Sequence, residues 1–154
     1  MRINQGRKMK DSDEQYTPKW IFDGLNVQFD LDVCAPQGGV DYIPATKHYS
    51  LADNSLNQNW EGFVWMNPPF SEGKIWHDKF AQHGNGICIA PMSKSYWFYD
   101  VWNNPSVSVL MPTPKFKFVK PDGKSNSIFM PVILYAIGLQ GRTALAKSNL
   151  GRIR

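Results

Sequence analysis

The sequence predicts a compact α/β fold built on a mixed sheet. The apolar run at residues 63–66 is bounded by Gly62 and by two consecutive prolines, which is typical of a buried strand. Apolar residues at helical spacing follow over residues 72–83, and a second apolar run at residues 86–91 predicts the next buried strand. Strand, helix and strand in this order favour a parallel pair joined by a helical crossover.

Length and composition indicate one domain. The chain has 154 residues, of which 42% are hydrophobic and 14% aromatic, enough for a real core. We divide it into a basic, flexible arm at residues 1–13, a main domain at residues 14–137 and a basic extension at residues 138–154, which forms a helix or a loose tail. The net charge of +4 and the isoelectric point near 9.1 are compatible with a polyanionic partner.

The sequence contains no pattern typical of membrane insertion, secretion or metal binding. Its longest apolar stretch, residues 128–139, is interrupted by Pro131 and Gly138 and is shorter than the ~20 residues of a membrane helix. The amino terminus lacks the apolar run of a secretory signal. Cys34 and Cys88 lie in apolar, strand-like stretches without metal-type spacing, which favours buried, reduced thiols. We therefore expect a cytoplasmic protein without a bound metal.

The amino-terminal half contains few predicted elements. Thr17 and Pro18 predict a short helix, with Thr17 as the N-cap and Pro18 as the first helical residue. Alternating apolar and polar residues predict a strand at residues 27–33. Residues 34–61 are too few for several strand and helix units, so we expect shortened crossovers, mainly loops with a short strand near residues 48–51.

The carboxyl-terminal half contains a predicted aromatic helix and a basic hairpin. The rings of the helix at residues 94–102 are expected to enter the core, although one of them can instead line a pocket. A strand is predicted at residues 107–111. Residues 115–120 mainly alternate lysine and apolar residues, which predicts an amphipathic hairpin arm closed by a turn at residues 121–124. The last strand is predicted at residues 127–135, antiparallel to its partner.

The turn formed by Asn67, Pro68, Pro69 and Phe70 is the most specific pattern in the chain. It follows a predicted strand, and ligands of open α/β sheets bind outside the carboxyl ends of the strands. The two prolines fix the backbone and remove two amide donors, which leaves free carbonyl acceptors. Acceptors aimed at the hydrogens of an exocyclic amine favour a nucleophilic nitrogen, and Phe70 can stack on a flipped base. An ordinary turn that closes a strand is the alternative.

This turn and several shorter segments match one enzyme family. The tetrapeptide at residues 67–70 matches the Asn-Pro-Pro-Tyr/Phe motif of amino-directed DNA methyltransferases. Weaker matches follow the family order at residues 15–18, 29–35, 56–60, 89–91, 97–98, 117–118 and 127–129. Over about residues 14–137 the chain thus resembles the compact, phage-borne DNA N6-adenine methyltransferases of the Dam type. The resemblance implies a Rossmann-like, class I methyltransferase fold with shortened cofactor-side crossovers.

The resemblance also implies a mechanism in which a methyl group passes from S-adenosylmethionine to adenine N6. Asn67 and Pro68 hold the amine, Pro69 stiffens the turn, and Phe70 stacks on the flipped base. No general base or metal is needed before attack. The acceleration comes mainly from placing the nucleophile, the methyl carbon and the sulfur in line.

Cofactor contacts are implied at the carboxyl ends of the first strands and before the first helix. The implied residues are Tyr16, Thr17, Pro18, Asp32, Ala35 and Asp53. The Asp32 carboxylate can pair with the ammonium group of the cofactor or order a bridging water. The usual Gly-x-Gly loop is missing, and residues 35–39 only roughly replace it. A solvated carboxylate at Asp32 and a turn-forming pair at Asp53 and Asn54 are the alternatives.

Double-stranded DNA is the expected partner. Ser71, Lys115, Lys117 and Lys124 are the residues that we expect to contact it. A solvated, amphipathic edge strand is the alternative for the lysines. The chain leaves little room for a separate target-recognition domain, so we expect recognition of a short site or loose recognition. The sequence predicts neither the target site nor the oligomeric state.

The expected function is therefore site-specific DNA adenine methylation, in the host cytoplasm if the protein is phage-encoded, as in restriction–modification. Two alternatives remain open. One is a catalytically degenerate protein of the same fold that binds DNA or cofactor. The other is a methyltransferase that acts on cytosine N4, RNA or protein.

Overall fold

The computed structural model describes residues 14–154, so the arm predicted at residues 1–13 lies outside the described residues. The α-helices in this part are α1 (Lys19–Leu25), α2 (Gly73–His83), α3 (Tyr96–Asn103) and α4 (Leu139–Lys147). The strands are β1 (Phe29–Ala35), β2 (Ala45–Ser50), β3 (Val64–Met66), β4 (Gly86–Pro91), β5 (Val107–Pro112), β6 (Phe118–Val119), β7 (Ser125–Asn126), β8 (Val132–Ile137) and β9 (Gly151–Ile153). None of the helices over residues 14–154 is long and apolar enough to span a bilayer.

Seven of these strands form one mixed sheet, in the order β2-β1-β3-β4-β8-β5-β9. Strands β2, β1, β3 and β4 run parallel to one another. Strand β8 lies antiparallel between β4 and β5, and β9 pairs antiparallel with β5 at the edge. The predicted α/β fold with a mixed, Rossmann-like sheet is confirmed.

Each face of the sheet carries its own apolar core. Helices α1 and α4 cover one face, where Ile21 and Leu145 belong to the same buried cluster as Trp65. Helices α2 and α3 cover the other face, where Phe80 belongs to the same cluster as Met66. Because successive side chains of a strand point to opposite faces, β3 contributes to both cores. This central strand is fully buried and ends directly at the predicted catalytic turn.

The crossovers beside β1 and β2 are short, as predicted. Residues 36–44 join β1 to β2 without a helix. Residues 51–63 join β2 to β3 through two 3-10 turns, at Leu51–Asp53 and Ser55–Asn57. Parallel crossovers usually contain a dozen or more residues and an α-helix. The carboxyl ends of β1 and β2 are therefore bordered by loops alone.

Three predictions about local structure are wrong. The last sheet strand begins at Val132, because residues 125–126 pair with β6 and Pro131 has no amide donor for a ladder. Thr17 does not cap α1, whose N-cap position is held by Pro18. The hairpin arm predicted at residues 115–120 is a strand only at Phe118–Val119, because the residues before it form a turn in which the amide of Phe116 donates to the carbonyl of Thr113.

The aromatic rings of α3 are partly buried. Trp97, Phe98 and Trp102 pack against the core, as predicted, and Trp97 also lines a cavity. Tyr96 and Tyr99 are exposed.

The segment after Gly138 belongs to the same sheet as the rest of the chain. Helix α4 places Ala144 and Leu145 in the core, and β9 extends the sheet beside β5. The guanidinium carbon of Arg154 lies 3.9 Å from the ring centre of Trp102. Of the two conformations considered for this segment, the helix is the one observed.

Candidate active site

The catalytic turn lies where the sequence predicts it, between a buried strand and a helix. Asn67 follows β3 at its carboxyl end, between the ends of β1 and β4. Pro68 and Pro69 are buried, whereas Asn67 and Phe70 are half-buried. The turn Phe70–Glu72 is a short 3-10 helix that leads into α2. The motif therefore lies between β3 and α2. Asn67, its polar residue, lies at the edge of the sheet formed by the carboxyl ends of the parallel strands.

The side chain of Asn67 has a fixed orientation. Its amide nitrogen donates to the main-chain carbonyl of Gln15 at 2.6 Å and lies 3.4 Å from the hydroxyl oxygen of Thr17. Because a carbonyl can only accept, the amide must present its nitrogen to Gln15, which leaves Oδ1 as an acceptor. Within residues 14–154, no hydrogen bond described here ends on the Pro68 carbonyl. Two acceptors are thus available side by side in the turn.

Residues 15–17, the segment that binds Asn67, form hydrogen bonds with three other parts of the chain. The side-chain carbonyl of Gln15 accepts a hydrogen bond from the Asn126 amide at 2.8 Å. The backbone of Tyr16 exchanges two hydrogen bonds of 2.8 Å with Val119. The hydroxyl of Tyr42 donates to the Thr17 carbonyl at 2.6 Å. Residues 15–17 therefore connect the turn to the β6–β7 hairpin, which explains why Gln15 and Thr17 are buried although they precede the first helix.

A cavity of about 190 Å³ lies against the turn. Its walls are mainly apolar and aromatic, and the lining residues are Pro68, Pro69, Phe70, Gly73, His77, Pro91, Ser93, Trp97, Ile128 and Met130. Gly73 permits this shape, because a Cβ atom at that position would lie 2.8 Å from the indole nitrogen of Trp97. A small apolar chamber beside two backbone and side-chain acceptors suits a planar base with an exocyclic amine.

The chamber contains a buried histidine, His77 of α2, for which the sequence predicts no catalytic or metal-binding role. The ring of His77 stacks on Trp97 at 3.6 Å between centroids, with 5° between the planes. Burial lowers the pKa of His77 to about 3, so the ring is neutral. Tyr135 keeps its proton because burial raises its pKa, and its hydroxyl lies 2.5 Å from Nδ1 of His77. The sequence signal was the position of His77 between the apolar residues Trp76 and Phe80 of α2.

Asp32 is a buried carboxylate in the middle of β1, which continues to Ala35. It is 3% exposed and pairs in register with Trp65 of β3, two residues before Asn67. Its one described hydrogen bond comes from the amide of Cys34 at 3.2 Å. Burial raises the pKa of Asp32 to about 7, an effect that the Cys34 amide partly opposes. No cation within residues 14–154 offsets this charge, so the site fits a ligand that carries an ammonium group.

The other residues expected to contact the cofactor lie around the same sheet edge. Ala35 ends β1 and is followed by Gly38 and Gly39, both with positive φ, in the loop that replaces the missing Gly-x-Gly pattern. Asp53 follows β2 and accepts hydrogen bonds from the amide and hydroxyl of Ser50, at 2.7 and 3.0 Å. These bonds lower the pKa of Asp53. Pro18 is buried beside Thr17 at the start of α1.

The residues expected to bind DNA lie on exposed surfaces beside the turn. Lys115, Lys117 and Lys124 are exposed, whereas Phe118 is buried and its ring centre lies 5.6 Å from that of Phe70. The exposure of Lys115 and Lys117 and the burial of Phe118 agree with the prediction, although residues 115–117 are not part of a strand, and the hairpin packs directly on the predicted catalytic turn. Ser71 is exposed in the 3-10 turn after Phe70.

A larger, open groove of about 850 Å³ lies between the loop before β3 and α2, and it contains none of the predicted site residues. Cys34 is half-buried and Cys88 is buried, and both are free thiols. Over residues 14–154, no cluster of three His, Cys, Asp or Glu is placed to hold a metal.

Comparison with known proteins agrees with this geometry. The chain matches the model of one family, described as DNA N-6-adenine-methyltransferase (Dam), over residues 5–127. Comparison with curated proteins and with solved structures gives no match. The matched part includes the catalytic turn, Asp32 and the β6–β7 hairpin. The chain therefore belongs to the Dam family of DNA N-6-adenine-methyltransferases.

Proposed function

We propose that this protein transfers a methyl group from S-adenosylmethionine to the N6 amine of adenine in double-stranded DNA. The observation that carries the proposal is the fixed orientation of Asn67, whose amide nitrogen is bound by the Gln15 carbonyl. That orientation leaves Asn67 Oδ1 as an acceptor beside the Pro68 carbonyl in sequence, and Pro68 lines the 190 Å³ cavity. An exocyclic amine has two hydrogens to donate, so the two acceptors match its donor pattern.

The cavity beside the turn holds the target base in this proposal. Phe70 and Trp97 supply aromatic surface, and the neutral His77 adds no charge that would have to be desolvated with the base. A base cannot reach such a chamber from within a duplex, so the target adenine leaves the helix. Acceptors at Asn67 and Pro68 then draw the amine hydrogens out of the plane of the ring and expose the nitrogen lone pair.

Asp32 anchors the cofactor in this proposal. S-adenosylmethionine supplies an electrophilic methyl group on a sulfonium, and it carries an ammonium group that matches the buried carboxylate. The Asp32 side chain lies in the middle of β1, the strand next to the one that leads into Asn67, and its register partner Trp65 is two residues before Asn67, so in this proposal the two functions share one edge of the sheet. Tyr16, Thr17, Ala35 and Asp53 border the same edge and complete the proposed cofactor site.

The exposed lysines 115, 117 and 124, together with Ser71, hold the DNA backbone against this edge in the proposal. Because the chain resembles compact phage-borne enzymes, we assign the activity to the host cytoplasm. There the methylation has one of two purposes, protection of the DNA from restriction or regulation. In this proposal, the same loops recognise the DNA site.

A pair of DNA substrates tests the acceptor. The same sequence is prepared once with ordinary adenine and once with every adenine replaced by N6-methyladenine, and labelled S-adenosylmethionine is added to each. We expect label in the unmodified duplex and none above background in the premethylated one. Equal labelling of both would assign the reaction to another acceptor, such as cytosine N4. Cofactor binding without label in either would indicate a degenerate enzyme.

A further inference from the structure

We propose that Phe129 is a positioning residue that inserts into the base stack of the DNA duplex and fills the space left by the flipped adenine. The inference rests on the proposed function and extends it to a side chain outside the catalytic turn. Phe129 also lies beyond residues 5–127, the part of the chain that matches the family.

Phe129 is an apolar side chain held entirely in solvent. Its relative exposure is 102%, the highest among the large hydrophobic residues described as exposed. It lies in the loop at residues 127–131, between β7 and β8, and its two neighbours, Ile128 and Met130, both line the 190 Å³ cavity. The loop therefore directs two side chains into the proposed base chamber and presents the one between them outward at its rim.

The loop is anchored at both ends to the active site. At one end, the Pro131 carbonyl accepts a hydrogen bond of 2.8 Å from the amide of Met92, just after β4. At the other end, the Asn126 amide donates to Gln15, the residue whose carbonyl holds Asn67. The position of Phe129 is thus tied through Gln15 to the catalytic turn.

The surroundings of the loop match a nucleic-acid duplex. The exposed Lys115 and Lys117 directly precede the hairpin that packs on Phe70, and the exposed Lys124 lies in its turn, so the three supply the positive charge that backbone phosphates require. Proteins that distort DNA insert apolar side chains such as Phe, Leu and Met between base steps, where the side chain replaces lost stacking. An exposed phenylalanine beside a base-sized cavity and a basic hairpin has the chemistry for this task.

The test compares paired with unpaired acceptors. Unmethylated genomic DNA is presented as native duplex and as the same DNA after heat denaturation, and kcat/KM for methyl transfer is measured for the wild type and Phe129→Ala. Because flipping costs least when the base is already unpaired, we expect the variant to lose about tenfold or more on duplex and less than about twofold on single strands. Phe129→Leu should restore most of the duplex activity.

Leu139→Ala is the matched control. Leu139 is 83% exposed, so its truncation also removes an apolar surface residue without disturbing the core. It follows Gly138, which lies against Gly84 and Asn85 at the amino end of β4, on the edge opposite Asn67. We expect this variant to match the wild type on both substrates.

A fluorescent reporter gives a second reading on the duplex alone. In Phe129→Trp, addition of duplex should quench the added indole beyond the quenching of the wild type, which contains the same six other tryptophans. Leu139→Trp should show no such excess. Absence of excess quenching at position 129, an unchanged duplex rate in Phe129→Ala, or equal losses on both substrates would overturn the inference while leaving the proposed function standing. A wild type that methylates neither substrate would instead contradict the proposed function.

Discussion

The amide nitrogen of Asn67 donates to the main-chain carbonyl of Gln15 at 2.6 Å, a contact between residues 52 positions apart in the chain. The contact fixes which end of the Asn67 side chain faces the sheet edge. It also means that a residue near the start of the described part of the chain, rather than one on a neighbouring strand, orients the Asn67 side chain. The same segment reaches the β6–β7 hairpin through Asn126, so the turn, the hairpin and residues 15–17 form one unit.

Two substitutions of Asn67 distinguish the role of its acceptor oxygen from the role of its donor nitrogen. Asn67→Ala removes both, and we expect kcat to fall by about a hundredfold or more, the usual effect of removing one preorganised polar group from a transition state. Asn67→Asp keeps oxygen acceptors but loses the bond to Gln15, so its loss should be smaller. Initial rates of methyl transfer to unmethylated duplex measure both. A larger loss in Asn67→Asp than in Asn67→Ala would contradict the acceptor role.

Asp32→Asn should abolish the electrostatic part of cofactor binding. The change keeps the shape of the side chain but removes its charge, and we expect affinity for S-adenosylmethionine to fall by about tenfold or more, as for a charge-assisted hydrogen bond. Because the pKa of Asp32 is about 7, wild-type affinity should rise as the pH increases through that value. Calorimetric titrations across this range measure the effect, with Asp53→Asn for comparison. Equal affinities of wild type and Asp32→Asn would argue against the ammonium contact.

The stability of the protein should depend on pH through two buried groups of opposite sign. Burial raises the pKa of Asp32 from 3.8 to about 7, so its contribution to the free energy of unfolding grows as the pH falls through this window. Burial lowers the pKa of His77 from 6.5 to about 3, so its contribution is present above pH 6.5 and is lost as the pH falls. Between pH 6.5 and 3.8 the two trends oppose each other.

Asp32→Asn removes the contribution of Asp32 to the pH dependence of stability. The pH dependence that remains in the variant should therefore be that of His77. Urea unfolding at several pH values should show the variant more stable than the wild type at alkaline pH, by on the order of 2–4 kcal/mol. On acidification, the variant should lose stability more steeply, by on the order of 1 kcal/mol per pH unit. Parallel curves for the two proteins would show that Asp32 does not titrate as described.

Removal of Lys115 and Lys117 should weaken DNA binding through phosphate contacts. We expect the double alanine variant to lose affinity for duplex DNA and to show a salt slope reduced by about two, with cofactor affinity little changed. Lys47→Ala with Lys147→Ala is the matched control, because both of these lysines are exposed, the charge removed is equal, and both lie outside the hairpin. Equal slopes in the two double variants would remove the hairpin from the DNA interface.

Local sequence patterns predicted the part of the site that one segment builds. The apolar run of β3 and the following prolines define the strand and turn without help from distant residues, and the alternation around Phe118 defines the inner and outer sides of the hairpin. Asp32 was found in the same way, at the end of an alternating strand. What the pattern could not show is that its carboxylate is almost fully buried, because burial depends on what covers it.

The rest of the site depends on contacts between distant segments. Gln15 binds Asn67 and Asn126, and His77 of α2 contacts Tyr135 of β8. None of these three contacts produces a periodic signal in the sequence. The aromatic residues of α3 have both of the roles that the sequence allowed. Phe98 and Trp102 pack against the core, whereas Trp97 stacks on His77 and lines the chamber, and ring content alone does not distinguish the two.

The most direct test of the account is the product formed by the wild type and by Asn67→Ala. Each protein is incubated with S-adenosylmethionine carrying a labelled methyl group and unmethylated double-stranded DNA, and the nucleosides are identified by mass. The account predicts label in N6-methyladenine from the wild type and a loss of about a hundredfold or more in the variant, which should remain folded. Label in another nucleoside, or an equal yield from the variant, would contradict it.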